Sequence, residues 1–274
     1  MNPVSRTPTT HRRHFAELAL HDLAACVTAT SILVQPVGAI EAHGPHLPLA
    51  TDLITATAAV DDLVAAHGDA FDLWALPPIA YSKSNEHAWA PGTIWLSADT
   101  LLHVLDDIGR SLATTAARKV VFVNGHGGNS ALLQVACRDL RQRHGLQTFL
   151  AHPFAMTDAG GELGMGIHGG HDETSVLLHL RPDLVDMAKA VRQVPSHLAD
   201  NIHVRWGGSV SFGWLSNDFE PVPLDGQLPL GVIGDPTGAS AAHGAEQWAL
   251  VIEALAEAMA EIVRWAPNAG PTRG

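Results

Sequence analysis

The chain has 274 residues, 46% of them hydrophobic, and a formal net charge of −12, with 28 Asp plus Glu against 16 Lys plus Arg. That length and apolar content suffice for one α/β domain with a sizeable core, and the charge balance excludes a basic surface for nucleic acid or an anionic membrane. No stretch approaches the roughly 20 uninterrupted apolar residues of a membrane helix, and the polar start, with Arg6, Arg12 and Arg13, does not read as a signal peptide, so a soluble, cytoplasmic protein is expected.

A single domain over 1–274 is expected, with flexible tails at 1–15 and 267–274. Residues 31–40 (SILVQPVGAI) form a short apolar run rich in β-branched residues, closed by a glycine-bearing polar segment. Residues 119–123 (KVVFV) repeat that design, and both predict buried parallel strands. Weaker strand candidates lie at 73–79 and 147–151. Apolar residues recurring at helical spacing predict helices over 53–66, 98–117 and 130–144, and the alanine-rich 240–265 predicts a terminal one. Alternation of strand and helix argues for an α/β fold whose mainly parallel central sheet is flanked by helices on both faces. Ligand sites then belong in the loops after the carboxyl ends of the strands. Cys26 and Cys137 lie far apart and outside any CxxC, and read as reduced thiols.

Histidine is enriched, at 17 residues, and clusters with carboxylates at three places. The first cluster, GAIEAHGPHLPLATD (38–52), starts where the 31–40 strand should end. In an extended backbone Glu41 and His43 point the same way, and Asp52 follows a Gly/Pro-rich turn that can bring its carboxylate back. A carboxylate beside an imidazole suits a borderline cation such as zinc or manganese. The alternative is that Asp52 caps the helix starting at Leu53. The second cluster, NGHGGN (124–129), sits between the 119–123 strand and the 130–144 helix and projects His126 into the crevice. A phosphate loop is disfavoured there, because GxGxxG spacing and a P-loop lysine are both missing. In the third cluster, HGGHDETS (168–175), Asp172 and Glu173 supply a further ligand and a proton-transfer candidate, or simply start a helix near its dipole. Two metals about 3.5–4 Å apart, bridged by one carboxylate, would generate a hydroxide at neutral pH and polarise a carbonyl, the machinery of amide hydrolysis.

With these residues in view, the sequence resembles the creatininase (creatinine amidohydrolase) family. The matching stretches are GAIEAHGPHLPLATD, EHAWAPGT, NGHGGN, HGGHDETSVLLHLRPDLVD and GVIGDPTGAS, spread over residues 38–240. The resemblance implies a three-layer α/β creatininase-like fold, assembly as a homohexamer, and a centre of two divalent ions per chain, zinc and/or manganese. By motif position, Glu41 and His126 would bind one ion, His43 the other, Asp52 would bridge, and Glu173 would be the remaining ligand. His168 matches a histidine beside the substrate, and Gly169 and Gly170 are expected to hinge it over the bound molecule. Creatininase proper follows the histidine of the second cluster with a tyrosine and a glutamate that serves proton transfer, whereas Gly127 and Gly128 stand here. The HGGN form is closer to the wider family, which includes formamide deformylases, a peptidase of mycofactocin maturation and hydrolases of cyclic ketones or lactams. Glu86 and His87 are then catalytic candidates that line the pocket or assist proton transfer.

The reading put first is a hydrolase that cleaves a non-peptide C–N bond in a small, cyclic amide by attack of a metal-bridging hydroxide, with creatinine itself a poor substrate. A peptidase acting on a short modified peptide of the mycofactocin type is the alternative within enzymes. A catalytically silent metal-binding oligomer is the alternative outside them.

Overall fold

The computed structural model describes residues 13–153, 168–193, 203 and 231–266. Most of both expected tails, 1–12 and 267–274, lies outside these residues. Four parallel strands, β1 (Ile32–Val37), β2 (Leu73–Ala75), β3 (Lys119–Asn124) and β4 (Gln147–Ala151), form one sheet in the order β2-β1-β3-β4. Alternate strand residues serve opposite faces. Leu33, Val37, Val120 and Phe122 join a core completed by Leu101 and Leu105 of α3 (Ala98–Leu112) and Leu133 and Leu140 of α4 (Ser130–His144). Ile32, Val34, Val121 and Val123 join a second core, on α2 (Thr51–Phe71), α5 (His171–Leu180) and α6 (Ala241–Arg264), through Val60, Leu63, Val176, Val251 and Leu255. Each such side chain contributes roughly 1.5–3 kcal/mol when buried, and the result is the three-layer α/β arrangement the sequence implied. Among the described residues no helix is long and apolar enough to cross a membrane.

Where the elements differ from expectation, local chemistry explains it. Strand β2 stops at Ala75, short of the expected Ile79, because Pro77 and Pro78 have no N–H for a ladder and Pro36 in β1 has none to donate across to it. Gln35 Nε2 donates to Pro77 O at 2.7 Å in its place. Helix α3 ends at Leu112, short of residue 117. There Thr114 and Thr115 turn their hydroxyls back onto Ser111 O and Leu112 O, at 2.7 and 2.8 Å, in competition with the helix. Helix α1 (Leu20–Cys26) is an element the interrupted apolar pattern did not predict.

Arg13 lies in the segment expected to be frayed, yet it is tied down. Its guanidinium donates to Asp69 at 2.8 Å and Asp72 at 2.7 Å and covers the Trp74 ring at 5.2 Å. Asp72 closes α2 in a left-handed conformation (φ 52°) that Asp tolerates better than most residues. It accepts from Arg13, from Ser31 Oγ at 2.6 Å and from Trp74 Nε1 at 3.2 Å. Burial works against the charge, but these donors outweigh it and hold the Asp72 carboxyl below its ordinary value. Asp72→Asn, which keeps the left-handed tolerance and loses the charge, should therefore cost about 1–3 kcal/mol in urea unfolding at neutral pH. Because the folded pKa is depressed, that stabilisation is present above the ordinary carboxylate range and disappears as pH falls through the folded value. Wild type and variant should converge in acid, and a difference that persisted unchanged there would contradict this account.

Candidate metal centre

Glu41, His43 and Asp52 all come from the segment that leaves β1 and enters α2, and two glycines set its path. A Cβ on Gly38 would collide with Leu53 Cα and stand 2.6 Å from Leu53 N; one on Gly125, just past β3, would stand 2.6 Å from Asp52 O. With only hydrogen at both positions, the first turn of α2 settles between the ends of the two central strands and carries Asp52 with it. Gly125 N donates to Val37 O at 2.9 Å, locking the two strand ends together. This is the crevice where the strand order reverses, the usual binding position in an open parallel sheet. The helix starts at Thr51 with Ala50 as its N-cap and no side-chain cap, so Asp52 is not the cap that the alternative reading required.

The Asp52 carboxylate divides between two rings. Oδ1 lies 3.1 Å from His43 Nε2, and Oδ2 lies 3.1 Å from His126 Nδ1. Glu41 Oε1 stands 3.2 Å from His126 Nδ1 and 3.9 Å from His43 Nε2, and Glu173 Oε1 stands 3.9 Å from His43 Nε2. Backbone carbonyls set the tautomers, because a carbonyl only accepts. His126 Nε2, 2.8 Å from Lys83 O, and His43 Nδ1, 3.2 Å from Glu41 O, therefore carry hydrogen. In the neutral rings the nitrogens facing the carboxylates are then lone-pair nitrogens, and such contacts repel unless a cation lies between them. Among the described residues neither Glu41 carboxylate oxygen nor Asp52 Oδ2 has an aligned hydrogen-bond partner. Ligand atoms bound at about 2.0–2.2 Å around a tetrahedral ion stand about 3.3–3.6 Å apart, a range the observed spacings bracket. The donor set thus fits divalent zinc or manganese.

A proton on each ring is the other cation that satisfies this geometry. Burial disfavours a charged His43, but Asp52, then Glu173 and Glu41, outweigh it and push the ring up to about 10. His126 is likewise raised well above its ordinary value, burial being overcome by Glu41 and Asp52. Burial also opposes charge on Asp52, yet the two imidazoles hold its carboxyl far below the usual range. Glu173 moves the other way, to about 7, chiefly through burial, with His43 pulling it down and Asp52 adding to the rise. Protons and metal ions compete for one pocket of negative charge.

His168 is stacked between His43 and His87, with ring centroids 4.1 and 4.2 Å away. Its Nε2 donates to Ala42 O at 2.5 Å, which leaves Nδ1 turned to the cluster, 3.7 Å from Glu41 Oε1. Burial, then the charges of His43 and His87, press its pKa well below the ordinary value. The expected glycine hinge needs correction: His168 N donates to Ile233 O at 3.2 Å and Ile233 N to His168 O at 2.7 Å, so its main chain is clamped. His87 Nε2 stands 3.5 Å from Glu41 Oε1, and Glu86 Oε1 stands 3.2 Å from His126 Nε2. Glu173 combines the two roles weighed for it. Oε2 accepts from Gly169 N at 2.6 Å at the start of α5, and Oε1 faces His43. Asp172 is not brought in; its carboxylate turns to His243, at 2.9 Å, and His171, at 3.3 Å.

Sequence reasoning missed the residues that hold this centre together. Asn129, fully buried, accepts from Lys83 N at 3.0 Å and donates to Asn124 Oδ1 at 3.2 Å and Gly38 O at 3.3 Å. It thereby joins the loops after β1 and β3 to the 82–87 segment. His46 Nε2 lies 2.9 Å from Thr174 Oγ1 and ties the first cluster to α5. The second asparagine of NGHGGN was the available signal for the first of these.

The chain is 40% identical over 254 residues to the mycofactocin precursor peptide peptidase of Mycobacterium ulcerans (strain Agy99), covering 88% of each chain. It is 34% identical over 187 residues to the creatinine amidohydrolase of Pseudomonas putida, covering 60% of this chain and 70% of that one. Solved structures of a zinc-zinc type creatininase mutant and of a manganese creatininase, each 27% identical, superpose with TM-scores of 0.70 and 0.72, covering 92% and 91% of this chain and 98% of each of theirs. The creatininase family profile, described as creatinine amidohydrolase, matches residues 16–259, and the chain belongs to that family of hydrolases.

Proposed function

We propose that this chain is a dinuclear metal-dependent amidohydrolase that cleaves a C–N bond in a short modified peptide. The observation that carries the substrate class is the 40% identity, over 88% of both chains, to a mycofactocin precursor peptide peptidase. Gly128, which brings no carboxylate of its own beside His126, agrees with a substrate other than creatinine. A small cyclic amide, the reading put first from the sequence, is the second possibility, favoured by the 34% identity to a creatinine amidohydrolase.

Glu41 and His126 would hold one ion in this reading and His43 and Glu173 the other, with Asp52 serving both; the spacings of 3.1–3.9 Å among their ligand atoms support that division. When bound, zinc or manganese ions supply a water activated at neutral pH and polarise the amide carbonyl. The protein's own part is proton movement and placement. Nδ1 of His168, an acceptor turned to the cluster, takes the proton released as water adds to the carbonyl and returns it to the departing nitrogen. The His43 and His87 rings on either side hold that imidazole in line. Assembly as a homohexamer belongs to the same reading. The exposed Tyr81, Ile94 and Trp95, carried on the 81–95 segment, offer apolar surface to such an assembly.

Elemental analysis of protein purified from zinc- or manganese-supplemented medium should return close to two ions per chain, and Asp52→Ala should lower activity more than loss of any other single ligand, since it serves both ions. Asp52→Ala with wild-type metal content and turnover would contradict the bridge.

His168→Ala should retain metal while kcat falls by about 10² or more, whereas His126→Ala should lose metal. Equal metal loss in the two variants would make His168 a ligand. Mass spectrometry of short modified peptides, creatinine, lactams and formamides incubated with the metal-loaded enzyme decides the substrate class. Peptide cleavage is expected, and efficient creatinine turnover without it would contradict the peptidase reading.

A further inference from the structure

The far side of the His126 ring carries a second arrangement, which neither the metal centre nor the proton path accounts for. Glu86 reaches it from the short turn Asn85–His87 and is 7% exposed, a costly place for a carboxylate without an assigned task. Its Oε1 stands 3.2 Å from His126 Nε2, beside Lys83 O at 2.8 Å, while Nδ1 of the same ring faces Glu41 and Asp52. Glu86 Oε2 lies 3.8 Å from Lys83 Nζ. The turn is fixed to the loop it serves, since Lys83 N donates to Asn129 Oδ1 at 3.0 Å and Ser82 Oγ donates to Gly38 O at 2.5 Å. Position 128 leaves room for this and for nothing else: a Cβ there would collide with Glu86 Oε1 and with His126 Nε2 and would stand 2.8 Å from Lys83 O.

We infer that Glu86 is a positioning residue, the outer carboxylate that orients His126 and strengthens it as a ligand, and that residue 128 is glycine because Glu86 fills the space a side chain would need. The inference rests on the reading of His126 as a metal ligand. Its physical logic is that Lys83 O already fixes the tautomer of this ring, and a carboxylate 3.2 Å from the same outer N–H adds negative charge there that steadies the ring and makes its other nitrogen a stronger donor. Glu86 lies against Nε2, on the opposite edge of the ring from the nitrogen that faces Asp52, so it supports a ligand and does not itself act on substrate.

The test is competition between the full-length protein and a chelator of known affinity for Zn²⁺, and separately for Mn²⁺, run on wild type, Glu86→Ala, Glu86→Gln, Gly128→Ala and His126→Ala, each checked for an unchanged melting transition of the metal-free protein. Glu86→Ala should still take up both ions but bind one of them about 10- to 100-fold more weakly, with the other unchanged. Glu86→Gln, which keeps an acceptor oxygen without the charge, should recover part of that loss. Gly128→Ala should lower the affinity for the same ion by displacing Glu86, and it carries the test if Glu86→Ala does not fold. Unchanged affinity for both ions in Glu86→Ala or in Gly128→Ala overturns the inference, and complete loss of an ion in Glu86→Ala, as expected for His126→Ala, overturns it by making Glu86 a ligand. If His126→Ala itself binds both ions like wild type, the metal-ligand reading fails and takes this inference with it. A change confined to the Glu86 and Gly128 variants leaves that reading standing.

Discussion

One carboxylate organises the centre: Asp52 addresses His43 with one oxygen and His126 with the other, each at 3.1 Å, inside a site where it is 2% exposed. An ionised carboxylate buried there needs positive charge or hydrogen-bond donors beside it. Everything around it serves that condition. The parallel sheet sets β1 beside β3 with Val37 opposite Asn124, so the loops that deliver the two rings leave the sheet at the same level. Glycines at 38 and 125 remove the atoms that would keep the first turn of α2 out of the gap. The main-chain carbonyls of Glu41 and Lys83 then hold the two rings with their lone pairs toward Asp52.

The cluster is therefore a negative pocket whose occupancy is negotiable. With protons in it, His43 rises to about 10 and His126 well above its ordinary value, while Glu173 is raised to about 7 and resists ionisation beside Asp52. A divalent ion bound there would replace ring protons and relieve the crowding of carboxylates together, so metal uptake would be linked to proton release. The same burial that makes isolated charge costly keeps His168 neutral beside the cluster, with one nitrogen occupied by Ala42 O and the other turned toward Glu41. Backbone acceptors thus decide which nitrogen of each ring keeps its lone pair toward the cluster.

Much of this was legible in the sequence because it rests on short-range patterns. Apolar runs closed by glycine located β1 and β3, the 130–144 helix matched at both ends, and the residues Glu41, His43, Asp52, His126 and Glu173 do converge. What was not legible depends on contacts between distant segments. The role of Asn129 as the joint of three segments is written in hydrogen bonds to residues 83 and 38. The early start of α2, which puts Asp52 inside its first turn, depends on the space left by Gly38 and Gly125. The glycines after His168 suggested a hinge, but a backbone pairing with Ile233, far along the chain, clamps that residue instead. Residue type alone did not separate Asp172 from Glu173, which the family motif picked out, and the carboxylate of Asp172 turns to His243 on α6 and to His171.

The central claim is that Asp52 joins two ions in one centre. It is tested most directly by electron paramagnetic resonance of the protein loaded with Mn²⁺ at two equivalents per chain. A carboxylate shared between ions about 3.5–4 Å apart should couple them magnetically, giving the broad, many-line spectrum of an exchange-coupled pair that collapses in Asp52→Ala. A simple six-line signal of isolated Mn²⁺ in the fully loaded wild-type protein would contradict it.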